Sequence, residues 1–321
     1  MRNVIRRIHV VVTASRERHP YFWSDAGRLT ELLESHGSEQ FDAHAAPELA
    51  DAIVFVGSED PAMADIRGHP LFRRFPSKSF AFHAGDEPLP TLPGIYASIP
   101  KRWHDPRVYR GGFYLRASLN GAINNAAGLP AKYLFSFIGA MDNHPVRGKL
   151  GSIRCDNALL IDSGRDQLPN DQAHERFVRS LRESSFVLCP RGGGTSSFRI
   201  FETMQAGRVP VIISDDWVEP SGPEWHDFAV RVREAELDAI PQRLSALQER
   251  APEMGARARK AWEAWFSPQQ AGATVVGWLN ELRQSMENHG PFRMPWSMRA
   301  RYSFRVAKCQ LARFRNMDST T

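Results

Sequence analysis

Short apolar runs alternate with amphipathic stretches along the first half of this chain. IHVVVT (8–13) is continuous and β-branched, so it predicts a strand. SDAGRLTELLESHG (24–37) predicts a helix: Leu29, Leu32 and Leu33 share a face, Ser24 or Asp25 is placed to cap it, and Gly37 to end it. AIVFVG (52–57) is a second apolar run, followed by an acidic helix start at SEDPAMADI. SFAFHAG (79–85) is a third. Continuous apolar strands separated by helices predict a parallel sheet covered on both faces. From 86 to 130 Pro, Gly and Asn are frequent and no long helix fits, which puts a domain boundary near Pro130.

The alternation then restarts. YLFSFIGA (133–140) predicts a strand, MDNHPVRGK a polar loop, 171–184 a helix with Phe177, Val178 and Leu181 inward, and FVLC (186–189) a strand. RGGGTSS follows as a loop, SFRIFETMQAG as a helix closed by Gly207, VPVIIS (209–214) and FAVRV (228–232) as strands. Helices are expected at 234–248, 252–266 and 268–288. The predicted fold is α/β, with two doubly wound Rossmann-like domains facing a cleft: 1–130 and 131–288, then a basic tail, 289–321. Ligands in such sheets bind at the carboxyl ends of the strands.

Length supports the same division, since 321 residues exceed one ordinary core. Apolar residues make up 42% and charged residues 24%, as expected of a globular protein rather than a disordered one. The net charge of +5 is modest and reads as a solubility feature that also permits anionic ligands. Cys155, Cys189 and Cys309 are too few and too scattered for a disulfide framework, and no C-x-x-C or HExxH exists to hold zinc. The apolar run 8–12 is too short for a signal peptide, and no run approaches the ~20 apolar residues that span a bilayer. The expected location is cytoplasmic.

The segment FVLCPRGGGTSSFRIFETMQAGRVPVIISDDW carries the chemistry. Glycines at the end of a strand let a phosphate approach backbone N–H groups. Thr195 or Ser196 is placed to cap a helix whose N-terminus attracts anions. Arg199 lies in the first turn, within reach of a diphosphate. Glu202, three residues on, shares its face and is suited to accept hydrogen bonds from ribose hydroxyls. The structural alternative is a tight turn that needs glycine, followed by an intrahelical Arg–Glu pair. The loop has no GK[ST] and is not GxGxxG, and the chain has no GxSxG, which removes P-loop, dinucleotide and α/β-hydrolase readings.

This stretch resembles the exostosin family of inverting glycosyltransferases. The resemblance rests on Phe186, Cys189, Pro190, Gly193, Gly194, Ser197, Arg199, Glu202, Gly207, Pro210, Val211 and Ile212. It continues through Ser214, Asp215, Pro220, Trp225 and FAVRVREAEL, and upstream FSFIGA with Arg147 is similar to the strand and basic loop that open the family's donor domain. Coverage is about 130–266. The resemblance implies a GT-B fold whose C-terminal domain binds a nucleotide diphosphate sugar and whose N-terminal domain binds the acceptor. Donor contacts would come from Arg147, Arg191, Gly193, Gly194, Thr195, Ser196, Ser197, Arg199 and Glu202. Glu202 would hold the ribose, and Arg199 and Arg147 would neutralise the diphosphate. It also implies neither metal nor cofactor, the basic groups and helix dipole taking the metal's place. Asp215-Asp216 mimics an acidic metal pair but suits a turn or donor contact as well.

Inversion needs a base for the acceptor hydroxyl. FHAGDEP (82–88) follows a strand and offers Asp86 and His83, with Glu87 beside them; Asp25 and His19 are lesser candidates. The tail bears Arg293, Arg299, Arg301, Arg305, Lys308, Arg313 and Arg315, with Trp296 and Phe304 among them. It is read first as a segment packing back on the N-terminal domain and second as a peripheral contact with the inner face of an anionic membrane. It lacks any aromatic-basic module of an RNA binder. The expected function is sugar transfer to a glycan or lipid-linked acceptor in surface polysaccharide synthesis. The rivals are a fucosyltransferase-like enzyme of the same fold and a non-catalytic nucleotide-sugar or glycan-binding protein.

Overall fold

The computed structural model describes residues 4–13, 20–35, 41–57, 66–115, 120–165, 168–290, 292–294, 296 and 298–304. These divide into two compact units. One is built from the described residues within 1–99, 103–115 and 272–321, the other from those within 100–102 and 116–271.

The first unit holds a five-stranded, wholly parallel sheet: β1 (Ile8–Val12), β2 (Ala52–Gly57), β3 (Ser79–His83), β4 (Gly94–Tyr96) and β5 (Tyr109–Gly111), in that spatial order. β2 and β3 are buried along their whole length, as their unbroken apolar sequence requires. The two short strands β4 and β5 lie in the Pro- and Gly-rich stretch where pattern gives no strand signal. Helix α1 runs Pro20–Glu34, so Ser24 and Asp25 sit in its second turn and not at the cap. Proline suits a first helical position because its missing N–H is unpaired there anyway. Gly37, the SEDPAMADI segment before Ile66, and His19 lie outside the described residues. α2 (Pro70–Arg74) precedes β3.

The second unit has strand order β10-β9-β8-β6-β7, again all parallel. Its strands are β6 (Tyr133–Gly139), β7 (Ala158–Asp162), β8 (Ser184–Pro190), β9 (Val209–Ile213) and β10 (Val230–Arg231). Its helices are α3 (Pro145–Leu150), α4 (Asn170–Arg182), α5 (Phe198–Gln205), α6 (Trp225–Phe228), α7 (Ile240–Ser245) and α8 (Ala251–Trp265). The stretch expected as a plain polar loop, MDNHPVRGK, thus contains α3: His144 caps it by accepting from the Val146 amide (3.2 Å), and Pro145 opens it. Phe135, Phe137, Phe186, Leu188 and Val211 pack with Ile240, Leu244 and Met254 in one core. Each such side chain stabilises by roughly 1.5–3 kcal/mol when fully buried. The strand order reverses between β6 and β8, which makes that edge the switch point of this sheet. The first sheet runs in chain order and has no such reversal.

The division differs from 1–130 and 131–288 at both junctions. Residues 120–129 are tied to α5: the Gln205 side-chain amide donates to the carbonyls of Asn120 (2.9 Å) and Ile123 (3.2 Å), and the Ala126 amide donates to Ala206 (2.8 Å). Gly207, at φ +68, closes α5 in the left-handed conformation, as the sequence predicts. At the other end α9 (Ala271–His289) belongs to the first unit from Gly272 on. A Cβ at Gly272 would lie 2.2 Å from the Leu32 carbonyl oxygen, so only glycine lets α9 cross α1 this closely. Val275, Trp278, Leu279 and Leu282 of α9 are buried, with Trp278 against Phe113 (6.2 Å). Among the described residues no helix is long and apolar enough to cross a membrane.

Candidate functional site

The register of β6 against β8 places Ser136 opposite Val187, so the two strands end together at Gly139 and Pro190. From those ends start the loops that lead into α3 and α5. Two arginines straddle the junction. Arg147, on α3, donates from Nε to the Arg191 carbonyl (2.9 Å) and from Nη2 to the Pro190 carbonyl (3.4 Å). Arg199, in the first turn of α5, donates to the Ile138 carbonyl and lies over the Phe137 ring at 4.6 Å and the Phe177 ring at 5.5 Å. Such cation–π contacts contribute roughly 0.5–2 kcal/mol each and fix the plane of the guanidinium.

Glycines leave room here for the two guanidinium groups. A Cβ at Gly139 would stand 2.9 Å from Arg199 Nη2, and one at Gly192 3.0 Å from Arg147 Nη2. Gly192, Gly193 and Gly194 do not take the left-handed backbone conformation, so the tight-turn explanation of the triple glycine fails. Gly192 leaves space for the arginine beside it.

Neither expected cap acts as one. The N-cap of α5 is Ser197, and its side chain makes no capping hydrogen bond. Thr195 and Ser196 precede it, both buried. Thr195 Oγ1, Arg191 Nε and Arg199 Nε are buried polar atoms with no hydrogen-bond partner among the described residues. A buried unpaired donor costs ~1–3 kcal/mol. Three of them around one loop form a place where an acceptor-rich ligand would be held.

Among the described residues no ion pair joins Glu202 to Arg199. Its carboxylate accepts from Asn120 Nδ2 at 3.4 Å. Burial raises its pKa above the ordinary value, while the nearby charge of Arg199, the Asn120 hydrogen bond and His174 pull it back. Burial likewise lowers the Arg199 pKa, opposed by Cys189 and Glu202; a guanidinium stays charged at neutral pH nonetheless. The Cys189 thiol is pushed up to about 12 by burial and is no nucleophile. His144 is held below its usual value, first by burial and then by the charge of Arg191.

Asp216 pairs with Arg102 (2.9 Å), whereas Asp215 Oδ1 accepts from the Glu234 amide (3.3 Å), so the two carboxylates serve different partners. Among the described residues no three His, Cys, Asp or Glu side chains come together as a metal-binding group.

His83 and Asp86 belong to the first unit, at the carboxyl end of β3. His83 is buried: its Nδ1 accepts from the Gly85 amide (3.2 Å) and its ring stacks on Tyr96 (5.9 Å). Asp86 is partly exposed and accepts from the Tyr114 hydroxyl at 2.6 Å, which in turn shares a 2.7 Å hydrogen bond with Ser98. Asp25 is buried within α1. Pattern reading missed Asn120 and Phe137 near the glycine loop and Tyr114 beside Asp86, and gave Phe177 only as an inward helix position. Phe137 lies in a strand that the apolar run predicts, but nothing local marks Asn120 or Tyr114.

Residues 124–247 match the family model of the exostosin GT47 domain. An Exostosin-1 homolog of Caenorhabditis elegans is 36% identical over 111 residues, 33% of this chain and 29% of that protein. Exostosin-1 of Drosophila melanogaster is 28% identical over 200 residues, 54% of this chain and 25% of that protein. The chain therefore spans less than a third of the length of these relatives. Among solved structures, a glycosyltransferase from Rickettsia africae aligns over 90% of this chain and 100% of its own, at 10% identity and TM-score 0.44. Anabaena HepE, in complex with UDP and glucose, aligns over 90% and 100% at 9% identity and TM-score 0.36.

Proposed function

We propose that this protein is a glycosyltransferase that takes a sugar from a nucleotide diphosphate donor and passes it, with inversion, to a glycan or lipid-linked acceptor in surface polysaccharide synthesis. The observation that carries the reading is the switch point of the second sheet. Arg147 and Arg199 converge there, and unpaired buried donors of Arg191, Arg199 and Thr195 surround the glycine loop. A diphosphate offers the acceptor oxygens those donors need. Positive groups fixed in advance stabilise the charge that develops as the sugar leaves. Glu202 lies one turn further along α5, beside Asn120, as a carboxylate suited to ribose hydroxyls. Names of the relatives point the same way. In the first unit Asp86, held by Tyr114, is the group we assign as base for the acceptor hydroxyl. We place the protein in the cytoplasm, touching an anionic membrane through the tail. There Trp296 and Phe304 are exposed near Arg299 and Arg301.

Calorimetric titration with a panel of nucleosides, nucleoside diphosphates and their sugars tests the reading. Saturable binding of one nucleoside diphosphate, tighter than its nucleoside, is expected. No binding by any member would overturn it.

A further inference from the structure

A cavity of about 540 Å³ opens in the second unit at the carboxyl ends of β9 and β10, outside the switch point. Lys101, Arg231, Arg233 and Arg243 line it, against two carboxylates, Asp215 and Glu236. The four cations are not equally engaged. Arg231 is committed to Glu219 (3.3 Å) and the Ser214 carbonyl (3.1 Å). Arg233 is only loosely paired with Glu236, at 3.9 Å. Lys101 donates to a main-chain carbonyl, that of Asp215 (2.5 Å), so its charge meets no carboxylate there. Arg243, on α7, has neither ion pair nor hydrogen bond among the described residues. Ser214, which also lines the cavity, keeps a buried hydroxyl without a partner.

The cavity adjoins the glycine loop. The Arg191 amide donates to the Ile213 carbonyl (3.0 Å), so the loop begins beside the residue that precedes Ser214. Arg191 Nη1 stands 3.9 Å from Glu234 Oε1, which also accepts from the Asp215 amide (3.2 Å). Neither Glu202 nor Asn120 lines this cavity.

We propose that this cavity is a second anion-binding site, separate from the glycine loop, which receives a carboxylate or phosphate carried by a sugar. The surplus cations supply the attraction, and Arg243 and Arg233 have guanidinium donors free for it. Sugar hydroxyls are matched by Asp215, Glu236 and Ser214, and the volume lies in the range of ligand pockets, too large for a bare ion. The anion has two sources, an acidic donor sugar or an acidic acceptor, and one experiment separates them.

Glucuronate, glucose 6-phosphate and glucose are titrated into the full chain and into Arg243→Ala, Arg233→Ala and Arg199→Ala. The two anionic sugars bind and glucose does not. Salt weakens them, and each cavity substitution weakens them roughly tenfold, as loss of a charge-assisted hydrogen bond predicts. Arg199→Ala leaves them unchanged, so failure of the donor assignment at the glycine loop is read independently. If Arg243→Ala weakens a nucleotide-linked uronic acid but not its nucleotide-linked neutral hexose, the anion is the donor's. If it weakens neither while free anionic sugars still lose affinity, the anion is the acceptor's. Equal binding of glucose and glucuronate, no binding of either anionic sugar, or anionic binding indifferent to both cavity substitutions would overturn the proposal.

Discussion

Arg199 and Glu202 stand one turn apart on α5 and yet do not pair: Arg199 turns to the Ile138 carbonyl and the Phe137 ring, and Glu202 to Asn120. An intrahelical ion pair at this spacing would contribute only ~0.2–0.5 kcal/mol. The two charges are held by different parts of the chain, and the proposed donor site assigns them to different parts of the ligand. Arg199→Ala should weaken nucleoside diphosphate binding far more than nucleoside binding, with some loss of melting temperature because the Phe137 stack goes too. Glu202→Gln should weaken both ligands by ~1.5–3 kcal/mol. Calorimetry on both variants checks this, and unchanged affinity in both would remove the assignment.

The raised carboxyl of Glu202 gives a pH signature. A carboxyl whose folded pKa exceeds its unfolded value stabilises the fold most below the ordinary carboxylate range. That stability is lost as pH rises through the folded pKa. Ribose binding needs the ionised form, so nucleoside affinity should do the opposite and fall as pH drops through the same raised value. Titration of nucleoside affinity against pH, with Glu202→Gln as the flat control, reads both the position and the sign.

Asp86→Asn should lower turnover by about 100-fold or more while donor binding persists, since general bases contribute ~10²–10⁴-fold. Tyr114→Phe removes the 2.6 Å hydrogen bond that holds Asp86 and should cost less. Single-turnover rates with saturating donor separate the two. Full activity in Asp86→Asn moves the base elsewhere.

Gly272 and Gly277 lie on the same helix, α9, in opposite surroundings. A Cβ at Gly272 meets the main chain of Leu32, which has no room to yield, whereas one at Gly277 meets nothing within 4 Å. Gly272→Ala should therefore destabilise the protein by roughly 1–3 kcal/mol. Gly277→Ala should stabilise it by up to ~1 kcal/mol through helix propensity. Urea denaturation of both variants tests the crossing of α9 over α1.

Turnover should survive a chelator nearly unchanged, because Arg147, Arg199 and the start of α5 supply the positive charge that a metal would otherwise bring. Complete loss in chelator, restored by manganese, would refute this.

The sequence by itself determined the long apolar strands and the glycine that ends α5. Unbroken apolar runs such as AIVFVG and VPVIIS become buried parallel strands because both faces of each must leave water. Gly207 ends α5 because the chain turns there at a φ that glycine alone takes easily. These signals are local, written within a few residues. Tertiary structure decided what pattern cannot carry. It brought Asn120 to Glu202 across 82 positions and Arg199 to Ile138 across 61. It gave α9 to the first unit through one glycine against Leu32, and it collected Lys101, Arg233 and Arg243 around one cavity. Charged side chains carry no period that announces their partners. Their neighbours are set by which strand ends and helix faces the apolar core brings together, and only the packed sheet fixes that.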